Sequence, residues 1–245
     1  RYPPESDAFR KIFKSCATFP LMLPAQLQHV DSAVYIDTDT IFLHPPEDIW
    51  KEFDNFNHEE SAGLSRDGFN YLAFLNEASV PSPGVTGFNS GVMLMNLTRL
   101  RSFPGGGFTY VTKHLFRKYN GKLRFGDQDI LNIFFFQNPR LLYELGCEWN
   151  YARHMCYSGR NSCLEAAKHG ASIVHGSGGA FRRNQTYTEV FGAWEEYELG
   201  TPIQTLVTKI QERLARHKAL APKRLCIKID DIEYIFTKQL SLYTD

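Results

Sequence analysis

The sequence predicts an α/β fold in which parallel strands are separated by helices. Two observations indicate this fold. Short apolar runs of β-type residues, such as AVYI at residues 33–36, have the continuous hydrophobic pattern of strands that are covered on both faces. Longer segments between these runs carry helix-start signals and apolar residues at helical spacing. With 245 residues, 43% of them hydrophobic, the chain can bury the core of one large or two small domains.

The elements of the first half follow from local sequence. Residues 8–30 are predicted to be helical or irregular, and the strand at residues 33–36 ends at Asp37. Two prolines in LHPPEDIW forbid a regular strand ladder there, and EDIWKEF begins a short helix. The turn-rich segment SPGVTGF then leads into a second buried strand at residues 91–97.

Four further elements are predicted in the second half. GDQDILNIFFFQ has carboxylates in its first turn and apolar residues after them, which is typical of a helix start. SIVHGSGG is predicted to be a third strand that runs into a glycine loop. Residues 203–214 have apolar side chains at helical spacing, with Thr201 as the cap and Pro202 at the first position. IDDIEYIFTKQL is predicted to form the final helix.

The composition argues against several classes of protein. Lys and Arg number 27, Asp and Glu also number 27, and the basic residues are scattered, so no nucleic-acid partner is predicted. An aromatic content of 14% argues against disorder. No apolar run approaches the ~18 residues that a membrane span requires. Because the chain starts at RYPPESD without an initiator Met, we expect it to be a piece of a longer product.

Cysteines and glycosylation sequons favour the secretory pathway. Three of the five cysteines fall within CEWNYARHMCYSGRNSC, and the chain has no CxxC pair. This spacing favours a local disulfide in an oxidising compartment over a zinc site or buried free thiols. Sequons begin at Asn96 and Asn184. Asn184 is predicted to be the better glycosylation site, because Asn96 closes an apolar run.

Two aspartates, Asp37 and Asp39, follow the first predicted strand. Residues i and i+2 point to the same side at a strand end, where open α/β sheets bind ligands. Two carboxylates at such a short distance repel each other unless a cation lies between them, so a divalent metal is predicted there. The alternative is a turn with two solvated aspartates. The apolar runs on both sides favour the metal site.

His175 ends the predicted strand SIVH in the same manner, which makes it a candidate third ligand. Taken alone, it would be an ordinary hydrogen-bonded histidine. Oxygen ligands with one imidazole suit Mn²⁺. The glycines of HGSGG would let backbone N–H groups approach an anion, and Arg182 and Arg183 lie just beyond. The alternative for these glycines is a flexible turn.

Two polar segments complete the candidate site. Asp-Gln-Asp at residues 127–129 begins a predicted helix, where capping explains one carboxylate but not the whole run. Asn-Ser-Gly at residues 89–91 offers small polar groups at the mouth of a buried strand, although alone it would be a turn.

These four pieces, in this order, resemble glycosyltransferase family 8. They are DxD after an apolar strand, then NSGVMLMN, then GDQDILN, then HG with glycines. The resemblance runs from about residue 10 to the end. Within the family it is closest to the glucoside xylosyltransferases, through YIDTDTIFLHPPEDIW, NSGVMLMNLTR, FGDQDILNIFFFQNP and CEWNY. It implies a GT-A-type, Rossmann-like mixed sheet flanked by helices, in a retaining, Mn²⁺-dependent enzyme that uses nucleotide sugars.

The resemblance implies a role for each candidate residue. Asp37, Asp39 and His175 would bind Mn²⁺ beside the donor diphosphate, with Asp37 also near the ribose. The implied catalytic residues are Gln128, beneath the anomeric carbon, and Asp127, which would hold hydroxyls of the donor sugar. The implied substrate-binding residues are Asn89, Ser90, Gly91, Asp129 and Gly178.

The implied reaction moves xylose from UDP-xylose to O-linked glucose on epidermal-growth-factor-like (EGF-like) repeats of Notch, with an α1,3 linkage. The implied partners are thus a UDP-sugar and an O-glucosylated EGF-like repeat protein. The implied location is the lumen of the endoplasmic reticulum or Golgi, as a type II membrane protein whose anchor lies outside this chain.

The chain departs from the family pattern in two places. Many members carry a Lys-Pro-Trp that contacts the diphosphate, whereas this chain has HGSGGAFRRN in that region. The sequence does not decide whether Gly178, Arg182 or Arg183 makes the diphosphate contact instead. Only 36 residues precede Asp37, although the family's base-binding strands normally do so. We therefore expect residues 1–245 to be the C-terminal part of a single GT-A catalytic domain, with the N-terminal strands supplied from outside this chain.

Two other functions fit parts of the sequence. DTDT also matches the DxDx[TV] motif of haloacid-dehalogenase-type phosphohydrolases, in which the first Asp is the nucleophile. That class leaves NSGVMLMN and the late His-glycine loop unexplained. A non-catalytic sugar-binding module would bind UDP or glycan without turnover. The sequence also leaves two positions open for Trp149, Asn150 and Tyr151, which are predicted either to face the acceptor or to pack in the core.

Overall fold

The computed structural model describes residues 18–68, 80–157, 160–220 and 232–243. Within these residues the predicted α/β class is confirmed, with sheets of mixed direction and helices around them. The predictions for residues 8–17 and for the first residues of the final helix, 229–231, lie outside the described residues. No helix among the described residues is both long and apolar enough to cross a bilayer.

The strands and helices are numbered in chain order. The strands are β1 (Ser32–Ile36), β2 (Thr40–Phe42), β3 (Ala62–Arg66), β4 (Phe88–Asn96), β5 (Leu142–Glu144), β6 (Tyr151–Ala152), β7 (Cys156–Tyr157), β8 (Arg160–Asn161) and β9 (Ile173–His175). The α-helices are α1 (Leu23–Gln26), α2 (Pro46–Trp50), α3 (Leu97–Arg101), α4 (Phe108–Tyr119), α5 (Asp127–Gln137), α6 (Leu164–His169), α7 (Ala180–Arg183), α8 (Gln185–Glu195), α9 (Ile203–Leu220) and α10 (Ile232–Ser241). Short 3₁₀ turns connect several of them.

The chain packs as two compact units, and the first contains residues 1–35, 54–64 and 70–144. Its strands lie in a four-stranded sheet with the order β1-β4-β3-β5, in which β3 and β5 run parallel. The predicted first strand is confirmed as β1. The second begins earlier than predicted, at Phe88, because its burial is continuous from that residue. Asn89 and Ser90 therefore lie inside β4 and not before it, which corrects the predicted strand start and the alternative of a turn.

Helix α5 covers β4 with an almost entirely apolar face. Its predicted start at the acidic run is confirmed, and Gly126 precedes it with a φ of 70° that favours glycine. Phe134, on this helix, is fully buried and meets Phe103 and Phe108 edge to face at 5.0 and 4.9 Å between ring centroids. Such aromatic pairs add about 0.5–1.5 kcal/mol each to the free energy of burial.

The second unit contains residues 36–53, 65–69 and 145–245, and its sheet has the order β2-β9-β6. Strand β9 runs parallel to β6 but antiparallel to β2, with Thr40 opposite His175. The prediction of parallel strands is therefore wrong for β2. Strand β2 itself was not predicted, because a three-residue segment is too short to show a periodic pattern, and its direction depends on its pairing with β9.

Helices α8, α9 and α10 build the core of the second unit. Helix α9 buries Leu206, Val207, Ile210 and Leu214, as the helical spacing predicted, but it begins at Ile203, one residue later than expected. The predicted final helix is confirmed as α10 from Ile232 onward.

A disulfide joins Cys147 to Cys163 across the second unit's loops, which confirms the predicted local disulfide. Closing a loop of this length stabilises a fold by roughly 3 kcal/mol. The preference for Asn184 as the glycosylation site is wrong. Its side chain is buried and accepts the Tyr187 N–H as the cap of α8. Cys16 and Cys226 lie outside the described residues.

Candidate metal and donor-sugar site

The two aspartates and the histidine that the sequence singled out converge within the second unit. Asp37 and Asp39 occupy the turn before β2, and His175 is the last residue of β9. The His175 Nε2 atom lies 3.6 Å from Asp37 Oδ2 and 3.4 Å from Asp39 Oδ1. The Gly176 N–H donates to the Asp39 carbonyl at 2.7 Å, which fixes the turn against the end of β9.

This set of atoms fits one divalent cation. The candidate ligand atoms all lie within 4.8 Å of one another. Ligands held at about 2.0–2.2 Å from one ion are separated by about 3–4 Å, so only small shifts are needed. The imidazole is buried, whereas the carboxylates of Asp37 and Asp39 are 36% and 45% exposed, which leaves one side open to a ligand. A hydrogen bond from His175 holds the pKa of Asp39 below its ordinary value against the opposing effect of burial.

A buried amide orients this histidine. Asn150 Oδ1 lies 2.9 Å from His175 Nδ1, and Asn150 is completely buried in the 3₁₀ turn Cys147–Asn150. With Nδ1–H donating to this oxygen, a cation can replace the Nε2 proton that His175 shares with Asp39, so that the Nε2 lone pair becomes a metal ligand. From the sequence, Asn150 could belong either to the core or to the acceptor side of the site. It lies in the quoted motif CEWNY, but the motif does not reveal that the partner of Asn150 is His175.

We expect Asn150→Leu to weaken Mn²⁺ binding about 10- to 100-fold, because the imidazole loses the acceptor that fixes its ring. Titration of Mn²⁺ by electron paramagnetic resonance measures this affinity. Asn150→Asp keeps an oxygen acceptor and should retain most of the affinity, and the exposed Asn120→Leu should change nothing. Equal affinities of the Asn150→Leu variant and the wild type would contradict the orienting role.

The predicted sugar-binding residues gather in the first unit. The Asn89 Nδ2 atom donates to Gln128 Oε1 at 3.3 Å, which joins the start of β4 to the first turn of α5. The Asn89 Oδ1 atom accepts the Gly91 N–H at 2.9 Å. Asp127 and Ser90 are nearly buried, with exposed fractions of 7% and 8%. The structure therefore brings the two polar segments of this unit together.

Asp129 differs from its neighbours. It is completely buried, and its Oδ2 atom accepts the backbone N–H groups of Arg124 and Phe125. A carboxylate that accepts two backbone donors holds the loop that leads into α5. These contacts favour a positioning role for Asp129 over direct contact with sugar.

Sequence reasoning missed Asn132, which ties β4 to α5. Its Oδ1 atom accepts the Phe88 N–H at 2.7 Å, and its Nδ2 atom donates to the carbonyls of Phe88 and Gln128 at 2.9 and 2.8 Å. A Cβ atom on Gly87, where φ is 62°, would lie 2.8 Å from this Oδ1. Asn132 closes the quoted motif GDQDILN, but its sequence position did not reveal a buried partner 44 residues away.

Gly178 lies in the turn Ser177–Gly179 of the second unit, three residues after His175. Gly178 and Gly179 have φ values of 63° and 74°, the left-handed region that glycine adopts without strain. Arg182 and Arg183 are exposed on α7 directly after this turn. The second unit thus contains the candidate metal ligands and the glycine turn, and the first unit contains the predicted sugar-binding segments at residues 89–91 and 127–129.

Comparison with known proteins gives a consistent result. The profile of the family described as Glycosyl transferase family 8 matches residues 7–180. Glucoside xylosyltransferase 2 of Mus musculus is 39% identical over 205 residues, which is 77% of this chain and 45% of that protein. Glucoside xylosyltransferase 1 of Homo sapiens is 40% identical over 191 residues, which is 74% of this chain and 43% of that protein. The chain spans a little under half the length of these relatives.

A solved structure shares the fold. The galactosyltransferase LgtC, solved with donor and acceptor sugar analogues, superposes with a TM-score of 0.56 at 20% sequence identity. The match covers 75% of this chain and 68% of that one. At this identity the likeness concerns the fold alone, and it confirms the predicted GT-A type.

Proposed function

The chain belongs to glycosyltransferase family 8, and from that premise we propose that it transfers xylose from UDP-xylose to O-linked glucose on EGF-like repeats. The observation that carries the proposal is the convergence of Asp37, Asp39 and His175 within 4.8 Å, a donor set for the divalent cation that such a transfer uses. Similarity to glucoside xylosyltransferases supports xylose and glucoside as donor and acceptor groups. The phosphohydrolase interpretation of DTDT gives way to this family membership.

A bound divalent cation, proposed to be Mn²⁺, would supply a Lewis acid that offsets negative charge on the leaving diphosphate. The chain contributes its two carboxylates and a neutral imidazole to hold that ion, and the buried Asn150 amide keeps the ring in the required tautomer. The turn around Gly178 adds backbone that can approach an anion closely.

The proposed reaction retains the anomeric configuration. The bond between the sugar C1 and the diphosphate oxygen breaks, and its electron pair stays on the diphosphate. The acceptor hydroxyl oxygen bonds to C1 on the same face and releases its proton to that diphosphate oxygen. We assign Gln128 Oε1 to the electron-poor sugar, oriented by the Asn89 amide. A neutral amide is a poor nucleophile, so the proposal has no covalent intermediate.

The other predicted residues receive supporting roles. Asp127, whose carboxylate is nearly buried, is assigned to hydroxyls of the donor sugar. Asn89, Ser90 and Gly91 line the sugar and acceptor side, and Asp129 positions the loop before α5. We also propose a lumenal location in the endoplasmic reticulum or Golgi, which the disulfide between Cys147 and Cys163 supports.

The test is a panel of donors and acceptors. The protein is incubated with Mn²⁺ and UDP-xylose, UDP-glucose or UDP-galactose, and with EGF-like repeats that are either O-glucosylated or bare. Mass spectrometry should detect a single added pentose, on the glucosylated repeat only and from UDP-xylose only. A different productive sugar would correct the donor. No transfer from any donor would refute the enzymatic proposal and favour a sugar-binding module.

A further inference from the structure

Arg153 leaves the sheet of the second unit at the same edge as the metal residues. It directly follows β6, in which Ala152 pairs with His175 of the parallel strand β9. Strands paired in this way lie about 4.8 Å apart, so the residues that follow each strand emerge side by side. Arg153 therefore emerges beside Gly176, whose N–H is bonded to the Asp39 carbonyl.

The guanidinium of Arg153 packs against the glycine turn. An added Cβ on Gly178 would lie 3.3 Å from Arg153 Nη2, which is tight for such a contact. The turn thus leaves room for the guanidinium because residue 178 has no side chain. Arg153 is half-buried, so its charge is only partly screened by water.

The other end of the guanidinium is anchored. Arg153 Nε donates to His154 Nε2 at 3.2 Å, and His154 Nδ1 lies 3.5 Å from the buried Asp67 carboxylate. His154 orients Arg153 without neutralising it, because an imidazole carries no negative charge. Within the described part of the chain, Arg153 forms no ion pair with a carboxylate.

We infer that Arg153 binds the diphosphate of the nucleotide-sugar donor. It would supply the positive charge at this position, since the segment HGSGGAFRRN contains no Lys-Pro-Trp. This inference rests on the proposed function. A half-buried, oriented guanidinium beside glycines with positive φ matches the fork that phosphate oxygens accept. Arg183 also lies against the turn, with its Nε 3.7 Å from an added Cβ on Gly179. Both Arg182 and Arg183 are exposed, however, and among the described residues only Arg153 of the three has a hydrogen bond that orients its guanidinium, so the inference chooses Arg153.

The experiment compares UDP with uridine, a probe without phosphate. Both are titrated by NMR or calorimetry into the whole protein in the presence of Mn²⁺. Arg153→Met keeps the aliphatic stem and removes the charge, and it should weaken UDP binding about 10- to 100-fold while leaving uridine binding unchanged. Arg182→Met and Arg183→Met test the rival arginines. Arg216→Met, at an exposed position on α9, is the control for lost charge.

The outcomes separate the inference from its premise. If the wild type does not bind UDP, the proposed function and the inference both fail. If it does, unchanged UDP affinity in Arg153→Met overturns the inference alone, as does an equal loss for UDP and uridine. A larger loss in either rival variant also overturns it. Should Arg153→Met fail to fold, Arg153→Lys decides: we expect about tenfold weaker UDP binding, and wild-type affinity would overturn the inference.

Discussion

Asp39→Asn is expected to abolish metal-dependent sugar transfer, with a loss of about 1000-fold in kcat/KM. Asparagine keeps the size of the side chain but removes the charge that a divalent cation needs beside His175. The Nε2 atom of His175 lies 3.4 Å from this carboxylate, so the substitution acts at the centre of the candidate site. A loss of several kcal/mol in transition-state stabilisation corresponds to this factor.

Two measurements check this prediction. Transfer assays over a range of Mn²⁺ concentrations should show no recovery at high metal, and paramagnetic resonance should show weaker Mn²⁺ binding. Asp54→Asn removes the same charge from an exposed position and should leave both values unchanged. Near-normal transfer by Asp39→Asn would remove the metal site from the proposed function.

Asn132→Leu is expected to lower the free energy of unfolding by about 3–5 kcal/mol. Leucine has a similar volume but cannot form hydrogen bonds, so the Phe88 N–H and carbonyl lose the two bonds that Asn132 makes to them. Removing a hydrogen-bond partner of a buried backbone group costs about 1–3 kcal/mol. The same change also removes the side-chain bond from residue 132 to the Gln128 carbonyl in the first turn of α5.

Chemical and thermal denaturation measure the effect, and we expect Tm to fall by roughly 10 °C. Asn138→Leu, at the end of the same helix, removes a single bond to the Phe134 carbonyl and should cost only about 1 kcal/mol. If the two variants had equal stability, Asn132 would not be the link between β4 and α5.

The fold was predictable wherever one segment carries its own pattern. Strand β1 and helices α5 and α9 agree with the sequence, because continuous apolar runs and helical spacing are local signals. Strand β2 was missed as a separate antiparallel strand, since its direction depends on pairing with β9. Asn89 and Ser90 were placed before the strand, because polar residues inside a buried strand resemble a turn until their partners are known.

The candidate site shows the same division. Asp37, Asp39 and His175 were predicted to lie together because each follows or ends a strand, and they do. The roles of Asn150 and Asn132 could not be predicted, because each depends on a partner 25 or 44 residues away. The sequence does not show whether an asparagine faces solvent or forms a buried hydrogen bond. Only the fold buries Asn150 and Asn132 and gives each amide its particular partner.

The link between Cys147 and Cys163 encloses both Asn150 and Arg153 in one covalent ring. The disulfide therefore restrains both residues in addition to the hydrogen bonds that hold them. A chain produced in the cytosol of a bacterial host, where thiols stay reduced, would carry the same side chains on an untethered segment. Recombinant protein should therefore be produced by periplasmic or eukaryotic secretion. Otherwise weak activity caused by a missing disulfide could be attributed wrongly to the choice of donor sugar.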